Sequence, residues 1–248
     1  MVVVVYYAFT DASGQFSLVN FMSFFQNAKT MGTLFYSLVI AALTTCLCLI
    51  LAYPTAYILA RGYVKNPLLI LLVYVMPMWI NFVLRLTALK EVLTAIEGNI
   101  AYYPFLNTVL AMTYDFLPFM ILPIYNAIVK IDPFLWEAAS DLGAGPVRTL
   151  WRVIIPLSMP GVLSGTTMVF LPAMTNYVVL DLMYNSTYIM GSLIGSYFNS
   201  YGWNRGAMVS AVLLLFIAFL SFGEKPEKVE HIEKAGRADA AVPGGEPI

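Results

Sequence analysis

The chain has 248 residues, of which 60% are hydrophobic and only 11% charged, and its mean hydropathy is +0.78. A soluble domain carries about 25% charged residues, so a chain this apolar would need an implausibly large core in water; the composition points to a polytopic membrane protein. A net charge of −1 leaves no basic footprint for nucleic acid. Cys46 and Cys48 lie in an apolar run and read as small buried hydrophobes, while the single histidine, His231, falls in a polar tail. With no His/Cys/carboxylate cluster, the sequence argues against a membrane metalloenzyme.

The first element is a short apolar stretch, VVVVYYAF after Met1. It is too short for a hydrocarbon core, which needs about 20 residues, and it lacks the charged start of a signal peptide. It is expected to be the last half of a helix that begins before this chain. Five full spans follow, at 32–60, 67–87, 105–127, 158–180 and 206–222. Prolines punctuate four of them: Pro54, Pro77, Pro118 and Pro123, then Pro160 and Pro172. Prolines are tolerated in membrane helices where neighbours re-satisfy the freed carbonyls. They fit either broken helices around a pathway or ordinary kinks, and the sequence leaves both open. The expected fold class is all-α, a membrane domain over residues 1–223 with five full spans and an N-terminal half-span. Residues 224–248 turn charged, then rich in Gly and Pro, and are expected to form a disordered tail.

Lys and Arg orient these elements. Alternate loops place Arg61, Lys65, Lys130, Arg148, Arg152, Lys225, Lys228, Lys234 and Arg237 on one side, against Lys29, Arg85, Lys90 and Arg205 on the other. The richer side is expected to be cytoplasmic, which puts the C-terminus there too. Tyr102, Tyr103, Tyr184, Tyr188, Tyr197, Tyr201 and Trp203 gather on the outer side, and Trp136 and Trp151 on the inner, as interfacial belts.

Between the third and fourth spans lies a polar insert, residues 132–157. Asp132-Pro133 is a helix-start signal, FLWEAASDL has helical character, and Gly143 with Gly145-Pro146 stops it. A second short helix, VRTLWRVII, runs into Pro156. Ala138 and Ala139 leave a flat face that another backbone can approach, and Glu137 offers a charge for a hydrogen-bond network. Arg148 and Arg152, four apart, share a face and could meet acidic groups or lipid phosphates. An ordinary amphipathic interfacial loop is the plain alternative.

The spacing of Glu137-Ala138-Ala139, Gly143, and Val153, Ile155 and Pro156 resembles the cytoplasmic EAA motif of the permeases of ATP-binding-cassette (ABC) importers. Val and Ile stand where that motif carries Ile and Leu. YPTAYILAR, MWINFVLRL, YDFLPFMILPIYNAIVKIDP and VFLPAMTNYVV, spread over residues 30–215, are similar to the polyamine permeases of the family. The resemblance implies a type I importer fold and a coupling helix that docks in a groove of a separate ABC ATPase subunit. It also implies a second permease subunit, an extracytoplasmic solute-binding protein and a place in the cytoplasmic membrane. No cofactor is expected in this chain; it contains no G-x-x-x-x-G-K-[ST], so ATP would be bound by the partner, and the chain is a transport subunit rather than an enzyme. Two departures stand out: the family has six spans, and the long charged tail is not part of its pattern.

Ionisable residues inside spans cost about 2.5–3.5 kcal/mol on insertion scales, so each needs an account. Asp115, mid-span, is a candidate for attracting a cationic substrate, or for a structural hydrogen bond with an Asn or Tyr. Arg85 reads as a structural pairing residue, with Glu91 or Glu97 as its expected partner. Asp181 sits at the expected outer mouth. Tyr114, Trp79, Asn176 and Tyr177 add aromatic and amide surface, which suits ammonium groups through cation–π contacts of about 0.5–2 kcal/mol. The competing readings are weaker. A secondary transporter predicts inverted repeats and deep ion sites, and a membrane enzyme needs a convincing catalytic group in the bilayer; neither is visible.

Overall fold

The structure is a computed structural model and describes residues 2–10, 14–17, 19–62, 64–183 and 186–222. The tail expected at 224–248 lies outside the described residues, as does Tyr184. The described helices are α1 (Val2–Ala8), α2 (Val19–Gln26), α3 (Ala28–Ala60), α4 (Pro67–Val75), α5 (Phe82–Glu97), α6 (Pro104–Val129), α7 (Phe134–Asp141), α8 (Pro146–Thr149), α9 (Ile155–Thr175), α10 (Tyr177–Leu182), α11 (Met190–Asn199) and α12 (Trp203–Phe222).

The centre is a bundle of α3, α6 and α9, each packed on the other two. Ile40, Met112, Met120, Ile121, Ile124 and Met174 are fully enclosed there. Without a hydrophobic force between helices in lipid, close backbone approach does the work, and small residues permit it. A Cβ on Gly161 of α9 would stand 2.6 Å from the Pro123 carbonyl oxygen of α6, and one on Gly165 would stand 2.8 Å from Met120 Sδ. Several buried hydroxyls donate within their own helices, Ser37 to Thr33 O, Thr45 to Ala41 O and Thr113 to Val109 O, while Met190 N–H donates across to Ser37 Oγ and Thr44 Oγ1 donates across to Met112 Sδ. One hydrogen bond crosses helices near the far end of α3, between Tyr53 OH and Ser158 Oγ at 2.8 Å.

Among the described residues, three helical stretches are long and apolar enough to cross a membrane: Ala28–Ala60, Pro104–Val129 and Pro146–Thr175. The expected second span at 67–87 is not one helix. α4 runs through a 3-10 turn at Met76–Trp79, breaks at Ile80-Asn81, and resumes as α5 at an angle of 102°. Pro77 starts the break and Asn81 ends it, its side chain accepting the amides of Val83 at 3.0 Å and Leu84 at 3.4 Å. The prolines thus divide. Pro54, Pro118, Pro123 and Pro160 stay well inside continuous helices, Pro172 lies in the last turn of α9 before the interruption at Asn176, and at Pro77 the span bends sharply. Counting the bent pair as one gives up to four such stretches among the described residues, and α12 follows as a further apolar helix of 20 residues, Trp203–Phe222. α1 packs along α12, with the Asn204 amide donating to Tyr7 O and Thr10 O.

The fourth span also differs in its bounds. Helix starts at Pro146, not 158, and runs to Thr175, so the hairpin's second limb and the span are one rod. Pro156 does not end it. Residues Leu150–Ile154 adopt π-helix, in which the Ile155 amide reaches back to Leu150 O, and this wider turn lets the helix pass the proline.

Candidate functional site

The hairpin is built locally. The Asp132 carboxylate accepts the Phe134 amide at 3.0 Å and opens α7. At the other end, Ala144 N–H donates to Ala139 O (2.9 Å) and Gly143 N–H to Ser140 O (2.8 Å), the paired bonds of a Schellman stop. Gly143 has φ +73, the left-handed conformation that closes the motif, and nothing lies within 4 Å of where its Cβ would be. The constraint is therefore in the backbone and not in space. Gly145 is extended and Pro146 begins the returning helix.

What the hairpin presents is apolar and uncovered by its own chain. Leu142 at the turn is 89% exposed, Phe134 73% and Trp151 65%. Glu137, Ala138, Gly143 and Pro156 are exposed, and Ala139, Val153 and Ile155 half-buried. Arg148 and Arg152, with Trp151, Gly143 and Gly145, line a shallow cavity of about 550 Å³. Such an exposed apolar patch rimmed by charge marks an interaction surface.

The second constellation lies deep in the helices. Arg85 and Asp115 form an ion pair with side chains 8% and 3% exposed. A second guanidinium nitrogen, Nη1, donates to Pro77 O at 2.8 Å, and the guanidinium carbon stands 5.9 Å from the Tyr114 ring centre. The partner expected for Arg85, Glu91 or Glu97, is replaced by Asp115. Glu97 instead accepts from the Asn107 amide at 2.9 Å. The partner expected for Asp115, an Asn or Tyr, is likewise replaced by Arg85. The break at Pro77 explains both: it turns α5 so that Arg85 faces α6, and it leaves the Pro77 carbonyl, which accepts Ile80 N–H at 3.1 Å, open to the guanidinium as a second donor. The pair could have been inferred from two opposite charges in neighbouring spans, since intramembrane charges find one another; the sharp turn was the missing piece.

Beside the pair is an open cavity of about 360 Å³, lined among others by Ile80, Arg85, Asp115, Phe116, Phe119 and Asn176. The structure thus brings Asp115 and Asn176 together, with Tyr114 against Arg85. Trp79 is 77% exposed, and Tyr177 and Asp181 are also exposed; none of the three lines that cavity.

Residues 31–223 match the family model described as the inner membrane component of binding-protein-dependent transport systems. The chain is 37% identical over 202 residues to the spermidine/putrescine transport system permease protein PotB of Haemophilus influenzae, covering 75% of this chain and 71% of that one. It is 34% identical over 203 residues to PotB of Escherichia coli K12, covering 75% and 74%. In structure it resembles a chain from the crystal structure of a bacterial ABC transporter involved in import of the acidic polysaccharide alginate. The TM-score is 0.63 at 14% identity, with 92% of this chain and 89% of that one covered. The all-helical bundle, its apolar spans and these matches agree: the chain is a multi-pass membrane protein and belongs to the family of binding-protein-dependent transport inner membrane components, the permease subunits of ABC importers.

Proposed function

We propose that this subunit carries polyamines across the cytoplasmic membrane, driven by a separate ABC ATPase that grips the hairpin at 132–157. The observation that carries the coupling role is the exposed hairpin. The Schellman turn holds Leu142 outward and the Asp132 cap sets Phe134 at the exposed start of α7, in the segment that bears Glu137, Ala138, Ala139, Gly143, Val153, Ile155 and Pro156. Apolar side chains held in water by a rigid turn favour a partner groove that removes them from it. Because the returning limb is continuous with the span ending at Thr175, a push on the hairpin would reach the membrane directly. The polyamine reading is supported by the identity to the two PotB proteins.

In this reading residues 1–223 form a type I permease domain. It pairs with a second permease subunit and receives its substrate from an extracytoplasmic solute-binding protein. The hairpin and the C-terminus face the cytoplasm, as the Lys/Arg distribution supports. The substrate path runs by the cavity of Asp115 and Asn176, with Tyr114 behind Arg85, and Trp79, Tyr177 and Asp181 on exposed surface nearby.

The test is uptake of labelled spermidine and putrescine by the complex reconstituted with its ATPase, second permease and binding protein. ATP-dependent, saturable uptake that unlabelled polyamines compete away, and sugars or amino acids do not, is expected. Uptake of a different solute class with polyamines inert would overturn the substrate assignment and leave the coupling role standing.

A further inference from the structure

The hairpin has a second mechanical connection besides its own backbone. Of the residues of α7, only Trp136 and Ala139 are half-buried; the rest are exposed. Trp136 is the large half-buried side chain of α7, and it packs against the core of the helix bundle. Its ring lies 4.2 Å from the Arg61 guanidinium carbon and 5.8 Å from the Tyr57 ring centre. Tyr57 and Arg61 are four apart, so they share a face at the end of α3. A cleft of about 290 Å³ lies beside the contact, lined by Arg61, Ile128, Pro133, Trp136 and Glu137 among others.

We propose that Trp136, seated on Tyr57 and Arg61, is a strut that makes the end of α3 move as one body with the hairpin. Trp136 is a positioning residue in this role; it touches neither ATP nor cargo. The hairpin then drives two helices, α9 through continuous backbone and α3 through the strut. Both are needed because α3 and α9 pack on the same α6, and moving one alone would shear the bundle. α3 spans 33 residues, about 50 Å at 1.5 Å per residue, so a push at Arg61 reaches the opposite face of the membrane. The inference rests on the reading of 132–157 as the ATPase-coupling hairpin.

Its test has two arms in the assembled complex. In the first, nitroxide labels are placed at Lys65→Cys and Ser140→Cys, both exposed positions, with Cys46→Ala and Cys48→Ala as background. The label-to-label distance should be the same without nucleotide and after trapping with ATP and vanadate, and Trp136→Ala should make it change or broaden on trapping. A distance that already changes in the parent protein, or one that Trp136→Ala leaves unaltered, overturns the strut. The second arm counts labelled spermidine moved per ATP hydrolysed, a ratio that mere loss of folded complex does not move. We expect about a tenfold fall for Trp136→Ala, from lost aromatic burial, and about two- to fivefold for Arg61→Ala, the range of one exposed cation–π contact. Trp136→Phe should keep most of the ratio, and Trp136→Ala/Arg61→Ala should be no worse than Trp136→Ala alone; an unchanged ratio in Trp136→Ala or multiplied losses in the double variant overturn it. Gly143→Asp separates the two readings. If it leaves the ratio intact, the coupling hairpin fails; if it lowers the ratio while Trp136→Ala does not, the strut alone fails.

Discussion

The hairpin at 132–157 and the Arg85–Asp115 pair are built on opposite principles. The hairpin is made of neighbours in sequence: Asp132 with Phe134, Ala139 with Ala144, Ser140 with Gly143. It turns its apolar side chains outward and leaves its function to whatever covers them. The ion pair joins residues 30 positions apart (115 − 85), on different helices, and hides both charges. A surface built locally can be altered with little harm to the fold, whereas a buried pair is part of the fold itself. Function at the first site should therefore be separable from stability, and at the second it should not.

The largest effect is expected where that contrast is sharpest. Removing one partner of a buried pair leaves the other charge uncompensated, at a cost of about 3–5 kcal/mol. Arg85→Gln and Asp115→Asn should each lower the yield of folded complex and its thermal stability. The double variant should recover much of both, because no lone charge remains. Measured by size-exclusion recovery and thermal unfolding, a double variant worse than either single would overturn the reading of Arg85–Asp115 as a pair whose charges compensate each other. Uptake in a recovered double variant then asks whether Asp115 serves the substrate: polyamine transport and apparent affinity equal to the parent's would remove it from the pathway.

Next comes Gly143→Asp. A left-handed residue other than Gly costs roughly 1–2 kcal/mol, less for Asp than for most, and the new carboxylate stands in the turn. The complex should still assemble in the membrane but lose substrate-stimulated ATP hydrolysis. Normal stimulation in a well-expressed variant would mean that the turn is not the docking element.

Gly161→Ala probes the α6–α9 contact, where the new methyl would press on the Pro123 carbonyl. Overpacking of this kind costs about 1–3 kcal/mol, so the melting temperature should fall, with transport per folded complex less affected. No change in melting would mean that the two helices can separate freely there.

The smallest effect on the fold is expected from Leu142→Ser. Leu142 is 89% exposed, and surface substitutions usually stay within about 0.5 kcal/mol. The isolated permease should melt unchanged while its affinity for the ATPase subunit, read by co-purification or surface binding, declines. If stability falls and binding does not, the separation between the two regions is wrong.

The legible part of this molecule was whatever depends on near neighbours in the chain. Long apolar runs announced α3, α6 and α9, because a helix of about 20 apolar residues satisfies its own backbone in lipid whatever surrounds it. Asp132-Pro133 and Gly143 announced the hairpin, because a cap and a left-handed stop are local geometry. The bend at Pro77 was less visible. Six prolines in these runs look alike in sequence, yet only Pro77 and Pro172 are followed, four residues on, by an Asn at which an expected span is interrupted, Asn81 and Asn176. That following Asn was the available signal. The continuity of helix past Pro156 was hidden for a related reason, since a π turn is set by the packing of the returning limb and not by composition.

Sequence alone determined that the chain is helical, membrane-embedded and furnished with a polar hairpin carrying the permease motif. Only the tertiary structure decided which charge Arg85 neutralises, that Asp115 and Asn176 share a cavity, and that Trp136 sits on the end of α3. The physical reason is range. Helix propensity, capping and hydropathy act over a few residues, whereas an ion pair or a ring stack depends on how helices cross, and one 102° bend redirects every side chain that follows it.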